Sequence, residues 1–288
     1  MRNYYYLVSG LQDLQIEDSK VPVSVARFRE EVYGNLAEQD RKLIDLLMLE
    51  NDCRNLTAAL TVAPDANPLE TPAVEHCGLF SMNQLQDLIA SVKAQDPCPE
   101  AIPQFMYDFV QEYQDESWRD YADFAEDRLW ALFYQYAMQC GNSFVSDWYR
   151  FNLDLTNIQT AITARKYELD VRHLLVGESE ITQALRTSGA RDWGLSQEVW
   201  FWDDIMRLQE ASDLNDRERK TDMLRWQWLE DNSFFCYFTI EQLFAYMVRL
   251  GIVERWSSLD AESGQQILRK LIGELKEQTE VPAEFKTN

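Results

Sequence analysis

Two short stretches of the chain repeat each other: Asp52-Cys-Arg-Asn55-Leu-Thr-Ala-Ala59-Leu60 and Asp154-Leu-Thr-Asn157-Ile-Gln-Thr-Ala161-Ile162. Asp, Asn and Ala recur at one offset, since 154−52, 157−55 and 161−59 all equal 102. A constant offset predicts a duplicated helical unit, and architectures built from copies of one block more often present surfaces to partners than carry out chemistry. An Asp followed three residues later by Asn and then by aliphatics reads as a helix start, with Asp52 or Asp154 accepting backbone N–H groups at the positive end of the dipole. A Gly-Leu-Phe-Ser turn follows the first copy at Gly78–Ser81, with Ser81 as a helix N-cap, and Gly194-Leu195-Ser196 stands as its counterpart after the second. Each copy therefore reads as motif, helix, glycine turn, helix.

Hydrophobic periodicity makes the whole chain all-α. Six of the eight prolines fall between Pro64 and Pro103, so the stretch from Gln104 to Val281 lacks the strongest helix breaker. Within it Phe105, Phe109 and Tyr113, then Trp118, Tyr121 and Ala125, then Leu129, Leu132, Phe133 and Tyr136 keep three-and-four spacing, with acidic residues from Asp115 to Asp127 as a wet face. This predicts one helix or two in near succession, ending around Gly141-Asn142. Ile240, Leu243, Phe244, Met247 and Val248 predict another, stopped by Gly251, and Ile267, Leu268, Leu271, Ile272 and Leu275 a further one. Only Tyr4–Val8 resembles a strand, and it equally fits a buried helix start. The proline-rich pieces from Ala63 to His76 and from Gln95 to Pro103 read as connections. Unit boundaries are expected at 1–103, 104–212 and a shorter 213–288, in which Leu229-Glu-Asp231-Asn232 is the candidate start of a truncated third copy.

Several function classes are disfavoured. The 288 residues carry 27 basic and 49 acidic side chains, a net charge of −22, which repels phosphate backbones and anionic lipid, so nucleic acid is not an expected ligand. No segment approaches the roughly 20 continuous apolar residues that span a bilayer, and the first ten residues are too short for a signal h-region. Membrane contact is expected only through protein partners. Five scattered cysteines without a CxxC pair read as reduced thiols. The two histidines, His76 and His173, lie in no nucleophile context, and Asp170 with His173 forms only one of the turns that a carboxylate-bridged metal bundle needs twice. Phosphate-cradling glycine motifs are absent, and no cofactor is expected. Trp193, Trp200, Trp202, Trp226 and Trp228 read as helix-packing residues, not a ligand surface.

Taken in order, the opening Tyr5-Tyr6-Leu-Val-Ser-Gly10-Leu11, the Asp52/Asn55 and Asp154/Asn157 pairs, the Gly78–Ser81 turn and the tail from Tyr246 to Glu254-Arg255-Trp256 resemble a known family. The chain is similar to the C subunits of the V-type (archaeal and bacterial A/V-type) ATPases, whose eukaryotic equivalents are the d subunits. It resembles in particular the shorter bacterial branch known as a domain of unknown function and associated with V-type ATPase operons. The resemblance implies a funnel of three helical units that caps the membrane rotor ring, receives the central shaft and passes torque without catalysis. It implies structural or interface roles for Tyr5, Tyr6, Gly10, Asp52, Asn55, Gly78, Asp154, Asn157, Tyr246, Glu254 and Arg255, and a place on the cytoplasmic face of the membrane. The other reading is a cytosolic helical adaptor that keeps the fold outside the rotary machine.

Overall fold

The computed structural model describes residues 2–18, 20–61, 78–211 and 213–278, with the backbone alone for 260–278. Among them are eleven α-helices and no strand. Two short helices, α1 (Tyr5–Ser9) and α2 (Val25–Tyr33), precede α3 (Glu38–Thr61), then α4 (Met82–Ala94), α5 (Gln104–Asp115) and α6 (Ala125–Met138). The second half holds α7 (Ser143–Lys166), α8 (Glu180–Thr187), α9 (Trp202–Glu210), α10 (Leu214–Ser233) and α11 (Ile240–Gln278). Tyr5–Val8 is thus helical, with Tyr4 just before the first turn. The connection expected from Ala63 to His76 lies outside the described residues.

Local chemistry sets the start of five helices. Ser81 caps α4 in a capping box: its hydroxyl accepts the Gln84 N–H at 3.4 Å and the Gln84 side chain accepts the Ser81 N–H at 2.9 Å. Asn142 accepts the Val145 N–H at 3.1 Å and starts α7, and Ser24, Ser179 and Asp213 cap α2, α8 and α10 in the same way. Of the two arrangements expected across 105–136, the structure has two helices in near succession. Glu116, at a φ of 61°, separates them, so Trp118 falls in a single 3-10 turn and the acidic residues between Asp115 and Asp123 belong to a connection instead of a helix face.

Two expectations about glycine and proline fail for physical reasons. Gly251 does not stop a helix; α11 runs through it for 39 residues and takes in the stretch predicted separately at 267–275. One helical glycine costs only about 1 kcal/mol, and no left-handed residue or proline lies between it and Gln278 to end the helix. Conversely, the proline-free segment 188–201 forms turns, with Trp193 and Gly194 at φ values of 53° and 82°.

One contiguous apolar core runs from Tyr4 to Trp256. Helix α6 packs on α3, α5 and α7, while α11 packs on α2, α3, α7 and α10, so residues close to both chain ends meet the middle. At the centre Phe133, Tyr149 and Phe244 meet edge to face, and Phe151 stacks on Trp228 at 5.7 Å. Trp193, Trp202, Trp226 and Trp228 are buried, as packing residues should be; Trp200 is 54% exposed and rests against Phe151. Cys53, Cys98, Cys140 and Cys236 are free thiols. Among the described residues no helix is long and apolar enough to cross a membrane.

Gly251 has room for a methyl group, the nearest neighbour being Val25 Cγ2 at 3.8 Å. Gly251→Ala is therefore expected to stabilise the protein by about 0.5–1 kcal/mol, measurable as a higher denaturation midpoint in urea.

Candidate functional site

The duplicated Asp and Asn side chains do not start helices. Asp52 and Asn55 sit inside α3, Asp154 and Asn157 inside α7, two helices of 24 residues each, and all four side chains are buried. Their role is long-range. Asp52 accepts the backbone N–H groups of Leu79 and Phe80 at 2.8 and 3.1 Å, so α3 grips the turn that leads into α4. In the second copy the Ser179 hydroxyl donates to Asp154 at 2.9 Å, while Asn157 exchanges two 2.8 Å bonds with the backbone of Val176 and a third bond, at 3.2 Å, with Thr182. Here α7 grips the turn into α8. Each lock satisfies polar backbone that burial would otherwise leave unpaired, a cost of about 1–3 kcal/mol per group.

These contacts reassign the glycine turn. Ser81 and Ser179 are the equivalent N-caps, so the counterpart of Gly78–Ser81 is Gly177–Ser179 and not Gly194–Ser196. No helix begins at Ser196, whose hydroxyl bonds Asp192 within its own turn. The two glycines are needed for different reasons. A Cβ on Gly78 would stand 2.2 Å from Asp52 Oδ1, whereas Gly177 has a φ of 65°.

The third lock differs again. Leu229–Asn232 lies at the end of α10, where Asn232 donates to the Trp228 carbonyl of its own helix at 2.8 Å. Asp222, in the middle of α10 and 1% exposed, does the holding instead: it bonds Arg225 at 3.0 Å, Trp256 Nε1 at 2.8 Å and Arg255. Arg225 carries the network to Asn152 of α7 at 2.9 Å. Glu254, next to Arg255, accepts the Val25 N–H at 3.2 Å and so ties α11 to the first turn of α2.

Three resemblance positions come together on one concavity. Tyr6, Gly10 and Tyr246 line a cavity of about 640 Å³ between α1, α2 and the first turns of α11, with Arg27, Glu31 and Asn35 among its other walls. Arg27 and Glu31 pair at 3.0 Å, so this cavity keeps no unbalanced charge. Tyr246 is buried against Phe28, while Tyr6 is 89% exposed and Tyr5 60%. Gly10 only closes α1, and its dihedrals suit any residue.

Sequence reading missed a central titratable cluster. Glu50 of α3, Tyr134 of α6 and Tyr149 of α7 meet near Arg54 and Arg225; burial pushes the Glu50 carboxyl up against the pull of Arg54, Tyr149 and Arg225. Burial and Glu50 push Tyr149 up, and its hydroxyl lacks a hydrogen-bond partner of ordinary geometry. Cys53 is buried alongside; desolvation, Glu50 and Asp52 raise its thiol, keeping it protonated and unreactive. No periodicity marks these residues, because they come from three faces that each also carry core side chains. Asp170 lies exposed, held down to about 2 by Arg172, and with His173 belongs to a short 3-10 turn; His76 falls outside the described residues. Among the described residues no group of three or more His, Cys, Asp and Glu is arranged to hold a metal.

The fold and these contacts define an all-α protein of internally locked helix pairs, two of whose concave surfaces flank α1 and the start of α11. The chain belongs to the family described as "Protein of unknown function (DUF2764)", whose model matches residues 1–279. No curated protein and no solved structure matches it.

Two outcomes test the locks. Gly78→Ala is expected to cost about 1–3 kcal/mol, because Asp52 is pinned by two N–H groups and cannot yield, and thermal denaturation reads the loss. Asp154, desolvated by burial, is raised to about 6. A carboxyl raised in the folded state adds stability that is complete below its unfolded value near 3.8 and is lost as pH climbs through 6. The wild type should therefore lose about 2 kcal/mol between pH 4.5 and 7.5 relative to Asp154→Asn, seen by chemical denaturation of both proteins at both pH values.

Proposed function

We propose that the chain is a non-catalytic rotor-linker component of a V-type ATPase, joining the central shaft to the membrane rotor ring from the cytoplasmic side. The observation that carries this reading is the lock present twice, 102 residues apart by 154−52. In each copy a buried carboxylate inside a long helix seizes the entry to the next helix, so the pair is fastened by side chains and not by its loop. Such pairs bear load as rigid bodies, as a torque-passing spacer requires. The resemblance running from Tyr5 to Trp256 supplies the identity of the machine.

Charge supplies the partner's chemistry. A surface with a net charge of −22 attracts a basic shaft tip and repels anionic headgroups, which favours contact with proteins over contact with lipid. Co-expression with V-type ATPase shaft and ring proteins is expected to yield a complex that purifies through any one component. Its affinity for the shaft should weaken as salt rises from 50 to 500 mM, since exposed charges are screened over about 10 Å at 0.1 M. A salt-independent affinity would remove the electrostatic part of the proposal. A chain that never co-purifies with ring or shaft would leave the cytosolic adaptor as the better description.

A further inference from the structure

On the other side of α1 from the Tyr6 cavity, the corner between α10 and α11 exposes aromatic side chains that the core does not use. Phe234, Phe235 and Tyr237 are 65%, 79% and 64% exposed, and Phe234 packs edge-on against Phe235 at 4.9 Å. The patch continues through Phe238, which sits 4.8 Å from the Tyr5 ring, and the Tyr4 N–H bonds the Phe238 carbonyl, so α1 is fastened beside it. Val8, Phe234, Phe235, Tyr237 and Phe238 wall a groove of about 760 Å³. Large rings gathered at a single corner mark an interaction surface, because isolated exposure is ordinary and a shared apolar patch is not.

The charges at the groove select its occupant. Glu230 and Asp231 stand at its edge, the Glu230 side chain 54% exposed, and Asp231 open to solvent. The one base lining the groove, Arg249, is sunk: its side chain is 14% exposed, 3.8 Å from Glu230 and over the Trp226 ring, and burial lowers its pKa. Glu230 also accepts the Trp226 Nε1–H at 2.8 Å, so with Arg249 paired to it Asp231 leaves the groove net acidic, while the ring faces carry the negative side of their quadrupoles outward. A second copy of a chain of charge −22 and an anionic lipid surface are both repelled. We infer that this corner docks a protein segment in which Lys or Arg alternates with apolar residues, its aliphatic side chains entering between the rings and its cations meeting Glu230, Asp231 and the ring faces. The inference stands apart from the rotary reading, since it follows from this corner alone.

Isothermal titration of the full chain with an 18-residue peptide of alternating Leu and Lys tests it. Binding is expected, weakening with salt, with a Leu/Glu peptide of the same pattern inert. The double variant Phe234→Ala/Phe235→Ala should lose at least about tenfold in affinity at unchanged melting temperature, as both rings lie mostly in solvent. Glu230→Gln/Asp231→Asn should flatten the salt dependence while retaining the ring contribution. Equal binding of the Leu/Lys peptide by wild type and the Phe variant would reduce the effect to generic attraction to an acidic protein and overturn the proposal. So would stronger binding to phosphatidylglycerol vesicles, or a dimer in light scattering that the Phe variant dissolves. Failure of shaft and ring proteins to co-purify would bear on the rotary reading and leave this result untouched.

Discussion

A buried carboxylate inside a helix is costly unless something fixed satisfies it, and this molecule uses that cost to set its geometry. Asp52, Asp154 and Asp222 each sit within a long helix, each almost without solvent, and each bonds at least one group from outside that helix. The partners differ: two backbone N–H groups, a serine hydroxyl, and an indole with two guanidinium groups. The logic is the same, since the arrangement that satisfies the carboxylate is also the one that places the next helix. Leaving any of these groups unpaired would cost more than the fold gains from an ordinary surface contact.

The locks explain why helices near the two ends of the chain can share a core. Glu254 holds the start of α2, and Arg255 and Trp256 reach Asp222, so one turn of α11 fastens both the N-terminal helices and α10. Asn152 brings α7 into the same network through Arg225. With these directional contacts in place, the aromatic packing of Phe133, Tyr149, Phe244, Phe151 and Trp228 adds burial at the centre without having to fix orientation. The same anchoring sets α1 as a wall between two concavities, one lined by Tyr6 and Tyr246 and the other by the exposed rings of the α10–α11 corner.

Some of this is legible in the residues and some is not. The capping box at Ser81 is local, so the sequence shows it plainly, and the all-α class follows from three-and-four spacing. The repeat at Asp52 and Asp154 is visible, yet its role is not, because Asp with Asn one turn later is equally consistent with a cap and with a buried pair on one helix face. Gly194–Ser196 matches Gly78–Ser81 better by letter than Gly177–Ser179 does, and only the hydrogen bonds of Asp154 and Asn157 identify the true counterpart. The α10–α11 corner is not legible in the residues, since the consecutive aromatics Trp148-Tyr149 are both buried while Phe234-Phe235 are both exposed.

By itself the sequence determined what depends on near neighbours: helical content, caps, the duplication, and a charge that sorts partners from non-partners. The tertiary structure alone decided which helix each buried acid holds, that α11 runs through Gly251, and that Tyr6, Gly10 and Tyr246 share a cavity. The physical reason is range. Periodicity records which face of a helix leaves water, whereas the identity of the group waiting there comes from a segment tens of residues away, and only its arrival makes a buried charge affordable.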